Sequence, residues 1–85
     1  MSMDFLLEEE MIDILTYCLQ NPNSDDIDSK KSRLKEIGIE LFNDGGVDAM
    51  ENFFFVVENR IVGEIEKDPK PFRNLWNGIT DEWKY

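Results

Sequence analysis

Two adjacent glycines, Gly45 and Gly46, lie between two segments of helical periodicity, and they constrain the fold of this chain more than any other feature. Glycine adopts the left-handed backbone conformation that ends a helix without the steric clash of a Cβ atom. We therefore predict that one helix ends near Asn43 and that another begins at Val47. This arrangement makes the middle of the chain a helical hairpin.

Apolar residues recur every three or four positions on both sides of the glycines, as in amphipathic helices. These positions are Ile27, Leu34, Ile37, Leu41 and Phe42 before the glycines, and Val47, Met50, Phe54, Val57, Ile61 and Ile65 after them. Pro22 ends a preceding helix, and Asp68-Pro69 starts a last one. We predict an all-α, compact, four-helix bundle-like single domain over residues 1–85. Its helices lie near 3–20, 25–43, 47–67 and 69–77, with Ser24 as the N-cap of the second.

Length and composition fit one small cytoplasmic domain. The 85 residues allow a single core, and a hydrophobic content of 41% is enough to build it. No apolar run approaches the roughly 20 residues that span a bilayer, and Met1–Asp4 carry no basic region of a signal peptide. One cysteine, Cys18, forms no disulfide within the chain and suits a reducing compartment. We expect no membrane association.

The net charge of −10 disfavours direct binding to nucleic acid, which depends on clustered lysine and arginine meeting phosphate. One local cluster runs against this balance, because four basic residues lie within 30–35. They are Lys30, Lys31, Arg33 and Lys35. The cluster either offsets neighbouring acids, which we favour, or docks an anionic partner.

The chain lacks the residue types on which most catalytic sites depend. It has no histidine, which removes the commonest general base and the commonest zinc ligand. Cys18 projects onto the core face of its helix, where a thiol stays protonated. Gly45 and Gly46 are not followed by the Lys-Ser/Thr of a phosphate-binding loop. We therefore predict no catalytic, cofactor or metal site and no enzyme activity.

The run Phe53-Phe54-Phe55 points in three directions on one helix, so a single packing stripe cannot bury all three rings. Phe54 belongs to the main stripe. Phe55 groups with Val62, seven residues on, in a second apolar strip. A helix with two apolar faces is either wrapped by several neighbours or lends one face to another chain, and the pattern leaves both open.

The predicted partner-contact residues are Phe55, Val62, Glu51, Glu58 and Ile39. Glu51 and Glu58 border the Phe55/Val62 strip and would repel their symmetry mates in a parallel pair. We therefore expect an antiparallel pair, with Arg60 or Lys67 as counterions. Ile39 projects away from the apolar face of its own helix. Gly63 would allow a close helix crossing.

Three short motifs give the chain a family likeness. They are Ile37-Gly38, Gly45-Gly46-Val47-Asp48-Ala49-Met50, and Trp76-Asn77-Gly78-Ile79 with a later Trp83. Over residues 34–83 the chain resembles a set of small uncharacterised bacterial helical proteins with a Gly-Gly-x-Asp-x-Met turn and a Trp-x-Gly-Ile end. The resemblance implies a compact all-α fold and no activity, ligand or catalytic residue. The two tryptophans are predicted to close the core.

Three classes of function remain after these exclusions. The first, which we favour, is a small acidic protein–protein interaction module that is homodimeric. The second is an acidic inhibitor, of the immunity or DNA-mimic type, that neutralises a basic nuclease or DNA-binding protein. The third is an enzyme or small-ligand binder that works through carboxylates. Salt dependence separates the first two, because only the inhibitor relies on charge.

Overall fold

The computed structural model describes residues 2–85, with side chains from Phe5 onward, and its fold is all-α. The elements are α1 (Ser2–Gln20), α2 (Ile27–Ile65) and a 3-10 helix (Lys70–Trp76). The all-α prediction is confirmed. A four-helix bundle is not, because the second and third predicted helices form one interrupted element and the fourth is a single short 3-10 segment.

The connection between α1 and α2 is a tight turn held by side chains. The Tyr17 hydroxyl lies 2.6 Å from Ser24 Oγ, and the Asp26 N–H donates to Ser24 Oγ at 3.2 Å. The prediction of Ser24 as N-cap was wrong, because α2 begins at Ile27 and its N-cap position is Asp26. The Ser24 hydroxyl closes the turn instead of capping the helix.

Gly46 interrupts α2 with φ 74° and ψ −165°. This region of backbone space is almost restricted to glycine. The prediction of a positive φ in the Gly45-Gly46 pair is therefore confirmed at Gly46. We call residues 27–45 the first half of α2 and residues 47–65 the second half. The second half ends at Glu66, which has a left-handed conformation and donates its N–H to the Val62 carbonyl at 3.1 Å.

The last helix is a short 3-10 segment with prolines at its start. Pro69 and Pro71 have no N–H to donate, which the first turn of a helix tolerates. The bonds at its two ends are of the tighter i to i+3 type, from Phe72 N–H to the Pro69 carbonyl at 2.9 Å and from Asn77 N–H to the Asn74 carbonyl at 3.1 Å. This helix ends at Trp76, and it leads the chain that carries Trp76 and Trp83 back across α2.

α1 packs along both halves of α2. Glu10 forms an ion pair with Arg33, and Lys30 lies over the ring of Tyr17. These contacts show that α1 runs antiparallel to the first half of α2. Contacts of Glu9 with Arg60, and of the Leu19 carbonyl with Lys67, show that α1 runs parallel to the second half. The buried apolar side chains form one cluster: Met11, Ile12, Ile14, Leu15, Cys18, Leu34, Ile37, Leu41, Met50, Phe54, Val57, Ile61, Trp76 and Trp83.

Trp76 joins the C-terminal segment to α2. Its Nε1 donates to the Leu34 carbonyl at 2.8 Å, and its ring meets Phe54 edge-on at 5.4 Å. Gly38 makes this approach possible, because a Cβ there would lie 2.6 Å from Trp76 Nε1. The predicted close approach at Gly63 was wrong, since no heavy atom lies within 4 Å of a Cβ built there. Both tryptophans are buried in the core.

Candidate interaction surface

The second half of α2 carries an exposed face with three large apolar side chains. At 100° per residue, six exposed and uncharged positions share an arc of about 120°. They are Asn52, Phe55, Val56, Asn59, Val62 and Gly63, and we call them the outer face. The exposed acid Asp48 projects into the same arc one turn before Asn52. Phe55 is 59% exposed, Val56 45% and Val62 43%. Large apolar groups with this exposure are the usual mark of a contact surface.

The structure places the predicted strip of Phe55 and Val62 on this face, outside the core. Val56 belongs to the same face, and the sequence analysis missed it. Its projection on the helical wheel, about 160° from Phe54 and on the same arc as Phe55 and Val62, would have identified it.

One border of the outer face is an ion-pair network centred on Arg73. The Arg73 guanidinium lies 3.0 Å from Glu51 Oε1 and 3.4 Å from Glu58 Oε1. It also stacks over the Phe54 ring, with 4.6 Å from Cζ to the ring centroid. The Tyr85 hydroxyl donates to Glu51 Oε2 at 2.6 Å, and this hydrogen bond raises the pKa of Tyr85.

These contacts change the expected role of Glu51 and Glu58. Both were predicted to border the strip as charges available to a partner. Glu58 is instead buried, and both carboxylates face Arg73 of their own chain. Lys70 supplies a second positive charge, with its Nζ 3.8 Å from Glu58 Oε2, so the two carboxylates face two cations of their own chain. Repulsion between these two residues and their symmetry mates no longer decides the orientation of a pair.

The other border of the outer face is a second network, centred on Arg60. Its Nη1 lies 2.7 Å from Glu9 Oε2 and 3.3 Å from Glu8 Oε2, and its Nη2 lies 3.7 Å from Glu64. On the helical wheel Glu8 projects into the apolar arc of α1, and the structure supplies its carboxylate with Arg60 as a partner. The expectation that Arg60 serves as an intermolecular counterion was wrong, because this guanidinium is engaged within the chain.

Arg33 accounts for part of the basic cluster at 30–35. It binds Glu10 in a two-pronged contact, at 2.6 Å and 2.9 Å, and also reaches Glu36 and Glu40. The charge-assisted hydrogen bonds from Arg33 lower the pKa of Glu10. Lys30 lies over the Tyr17 ring. At Arg33 and Lys30, therefore, the cluster serves contacts inside the fold.

Ile39 is 42% exposed, as predicted, but it lies on the first half of α2. The outer face lies beyond the Gly46 break. A shallow groove of about 270 Å³ opens next to the outer face, and it shares Asn52 and Val56 with it. Its remaining lining includes Glu8 and Asp44.

The described residues offer little for chemistry. Cys18 is buried, and this burial raises the pKa of its thiol. Among residues whose side chains are described, no three acids or cysteines are grouped as metal ligands would be. No helix in the described part of the chain contains a run long and apolar enough to cross a bilayer. The predictions of no enzyme activity and of a cytoplasmic location stay predictions.

Comparison with known proteins identifies no relative: no protein-family model, no curated protein and no solved structure matches the chain. The resemblance drawn from its glycine and tryptophan motifs therefore stays a prediction.

Proposed function

We propose that this chain is a small protein–protein interaction module that self-associates through the outer face of α2. The observation that carries the proposal is the run of uncharged exposed residues on this face. A third of the chain's residues are charged, yet every exposed residue between Asn52 and Gly63 is uncharged, and Phe55, Val56 and Val62 are among them. The exposed acid Asp48 lies in line with the face, one turn before Asn52. Networks of ion pairs close both of its borders.

The energetics support a weak and reversible association. Removing apolar surface from water contributes about 25 cal/mol per Å², so burying the exposed parts of these three side chains contributes a few kcal/mol per chain. Association costs at least about 4 kcal/mol in lost translational and rotational freedom. The small surplus places self-association in a range where protein concentration controls it.

The test is sedimentation equilibrium over a concentration series, with circular dichroism to verify folding. Phe55→Glu is expected to produce a folded monomer, since it places a charge at the centre of the outer face. Ile39→Glu is the matched control, because Ile39 is also an exposed apolar residue of α2 and lies outside this face. We expect it to leave association unchanged. A wild-type protein that stays monomeric at high micromolar concentration contradicts the proposal.

Salt offers a second and independent test. Two chains with a net charge of −10 repel each other, while the outer face itself is uncharged. Added salt screens this repulsion, because the Debye length falls from about 10 Å at 0.1 M to about 3 Å at 1 M. Self-association is therefore expected to strengthen as salt rises. A dimer that dissociates on adding salt would mean that charged groups hold it together.

The acidic inhibitor remains the alternative proposal, and one observation favours it. The described arginines bind carboxylates of their own chain, yet several exposed acids lie in no ion pair among the described residues: Asp25, Asp28, Asp44, Asp48, Asp81 and Glu82. Calorimetric titration with a deca-arginine peptide tests this alternative. A saturable complex that weakens as salt rises supports it. The absence of saturable binding at low salt contradicts it.

A further inference from the structure

The outer face has a symmetry of its own along the helix. Asn59 lies at its centre, Phe55 and Val56 lie four and three residues before it, and Val62 and Gly63 lie three and four residues after it. We propose that two copies of this chain pair antiparallel along the outer face, with the two-fold axis at Asn59. This inference rests on the proposed function and specifies its geometry.

Large residues meet small ones in this register. Residues at equal distances before and after the axis share a level in an antiparallel pair, so Phe55 and Val56 of one copy lie level with Gly63 and Val62 of the other. Nothing lies within 4 Å of a Cβ position at Gly63, and so the surface there is open. The Phe55 ring gains room at the level where the second copy has no side chain.

Polar residues of the face also find partners in this register. Asn59 meets Asn59 of the second copy on the axis, and a side-chain amide both donates and accepts hydrogen bonds, so the two can pair reciprocally. A buried asparagine that meets its own kind fixes the register of paired helices. Asn52 lies level with Glu66 of the second copy, where its amide can donate to the carboxylate.

A parallel pair in register gives a poorer fit. It places Phe55 against Phe55 and Gly63 against Gly63, which crowds one level and leaves another without side chains. It also brings Glu66 level with Glu66, and like charges at one end of a helix pair are unfavourable. The antiparallel orientation follows from these fits, and not from Glu51 and Glu58, which are paired with Arg73 and Lys70 of their own chain.

The charge of the face favours a second copy over a basic protein as its occupant. A basic partner needs free carboxylates along the contact, and the acids on both borders of the outer face are bound to Arg73 or Arg60 of the same chain. The exposed acids in line with the face, Asp48 and Glu66, lie at its two ends. The face spans about three helical turns. The surface area that each copy can bury there is therefore below the roughly 800 Å² per partner of a standard interface. The dimer is accordingly expected in the micromolar range or weaker.

Two single-cysteine substitutions on the same face test the register. A disulfide needs Cα atoms within about 7 Å. Asn59→Cys places the two new cysteines together on the proposed axis. Asn52→Cys places them fourteen residues apart along the helix, about 21 Å at 1.5 Å per residue, and so out of reach. Both positions are exposed, and the native Cys18 is buried in both variants.

Under oxidising conditions, we expect Asn59→Cys to give a disulfide-linked dimer as the main product and Asn52→Cys to stay a monomer on a non-reducing gel. Cross-linking of both variants would show a parallel pair and overturn the inference. Failure of Asn59→Cys to cross-link also overturns it. Sedimentation of the wild-type protein then distinguishes a wrong register from a lack of self-association. A dimer leaves the proposed function standing with another register, and a monomer refutes both proposals.

Discussion

Replacing Gly38 with alanine is expected to destabilise the protein, although alanine is the better helix former. Gly38 lies in the first half of α2, beneath the Trp76 indole. A Cβ at this position would lie 2.6 Å from Trp76 Nε1, 2.7 Å from Trp76 Cδ1 and 2.8 Å from Ile79 Cδ1. Such distances are far inside van der Waals contact, so the indole has to move.

Three effects set the size of this loss of stability, one stabilising and two destabilising. Alanine gains about 1 kcal/mol over glycine in a helix interior. Forcing an extra carbon into a packed core costs about 1–3 kcal/mol. Moving the indole breaks the buried hydrogen bond from Trp76 to the Leu34 carbonyl, 2.8 Å long, and an unpaired buried polar group costs about 1–3 kcal/mol. The net loss is about 1–5 kcal/mol, with a central value of about 3 kcal/mol.

Urea unfolding followed by circular dichroism measures this loss, and thermal unfolding should show a fall in Tm of about 10–20 °C for a chain of this size. Gly63→Ala is the matched control. It is also a glycine-to-alanine change in α2, but nothing lies within 4 Å of the new carbon. We expect Gly63→Ala to stabilise the monomer by up to about 1 kcal/mol. A Gly38→Ala protein as stable as the wild type would refute the role assigned to the indole contact.

Three further predictions concern the break in α2, the two faces of its second half and one ion pair. Gly46→Ala is expected to cost about 1–3 kcal/mol in urea unfolding, because φ 74° with ψ −165° strains any residue with a Cβ; unchanged stability would contradict this. Phe54→Ala is expected to cost about 3–5 kcal/mol and Phe55→Ala clearly less at monomer concentrations, since only Phe54 is buried; equal losses would show that the faces are wrongly divided. Arg33 lowers the pKa of Glu10 in the folded state, so this pair stabilises the fold above the unfolded pKa of about 4.3, and its contribution is lost as the pH falls through the folded pKa. Glu10→Gln should therefore cost less than about 1 kcal/mol at neutral pH, because the Glu10 side chain is 40% exposed, and the difference from wild type should vanish in acid; a pH-independent difference would indicate packing.

The periodicity of the sequence was enough to predict the helical segments and the place where the middle one breaks. Apolar spacing and local stop signals act within a few residues, so they can be read without knowledge of the fold. The wheel projection placed Phe54 and Phe55 on different faces and left the environment of the second face open; in the structure Phe54 is buried and Phe55 is exposed. It also indicated that Ile39 would be exposed. The boundary was wrong at Ser24, because its hydroxyl bonds Tyr17 and closes the turn instead of capping the helix.

The tertiary structure alone decided the partners of the charged side chains. Arg73 is 22 residues from Glu51 and 15 from Glu58. Nothing in their local sequence shows that they meet, because that contact depends on how the C-terminal segment folds back over α2. The same holds for Gly38, which is an ordinary helical glycine until Trp76 packs on it. Local chemistry thus determined the helices and the uncharged outer face, while long-range packing determined which acids are compensated within the chain and which carboxylates stay free for another molecule.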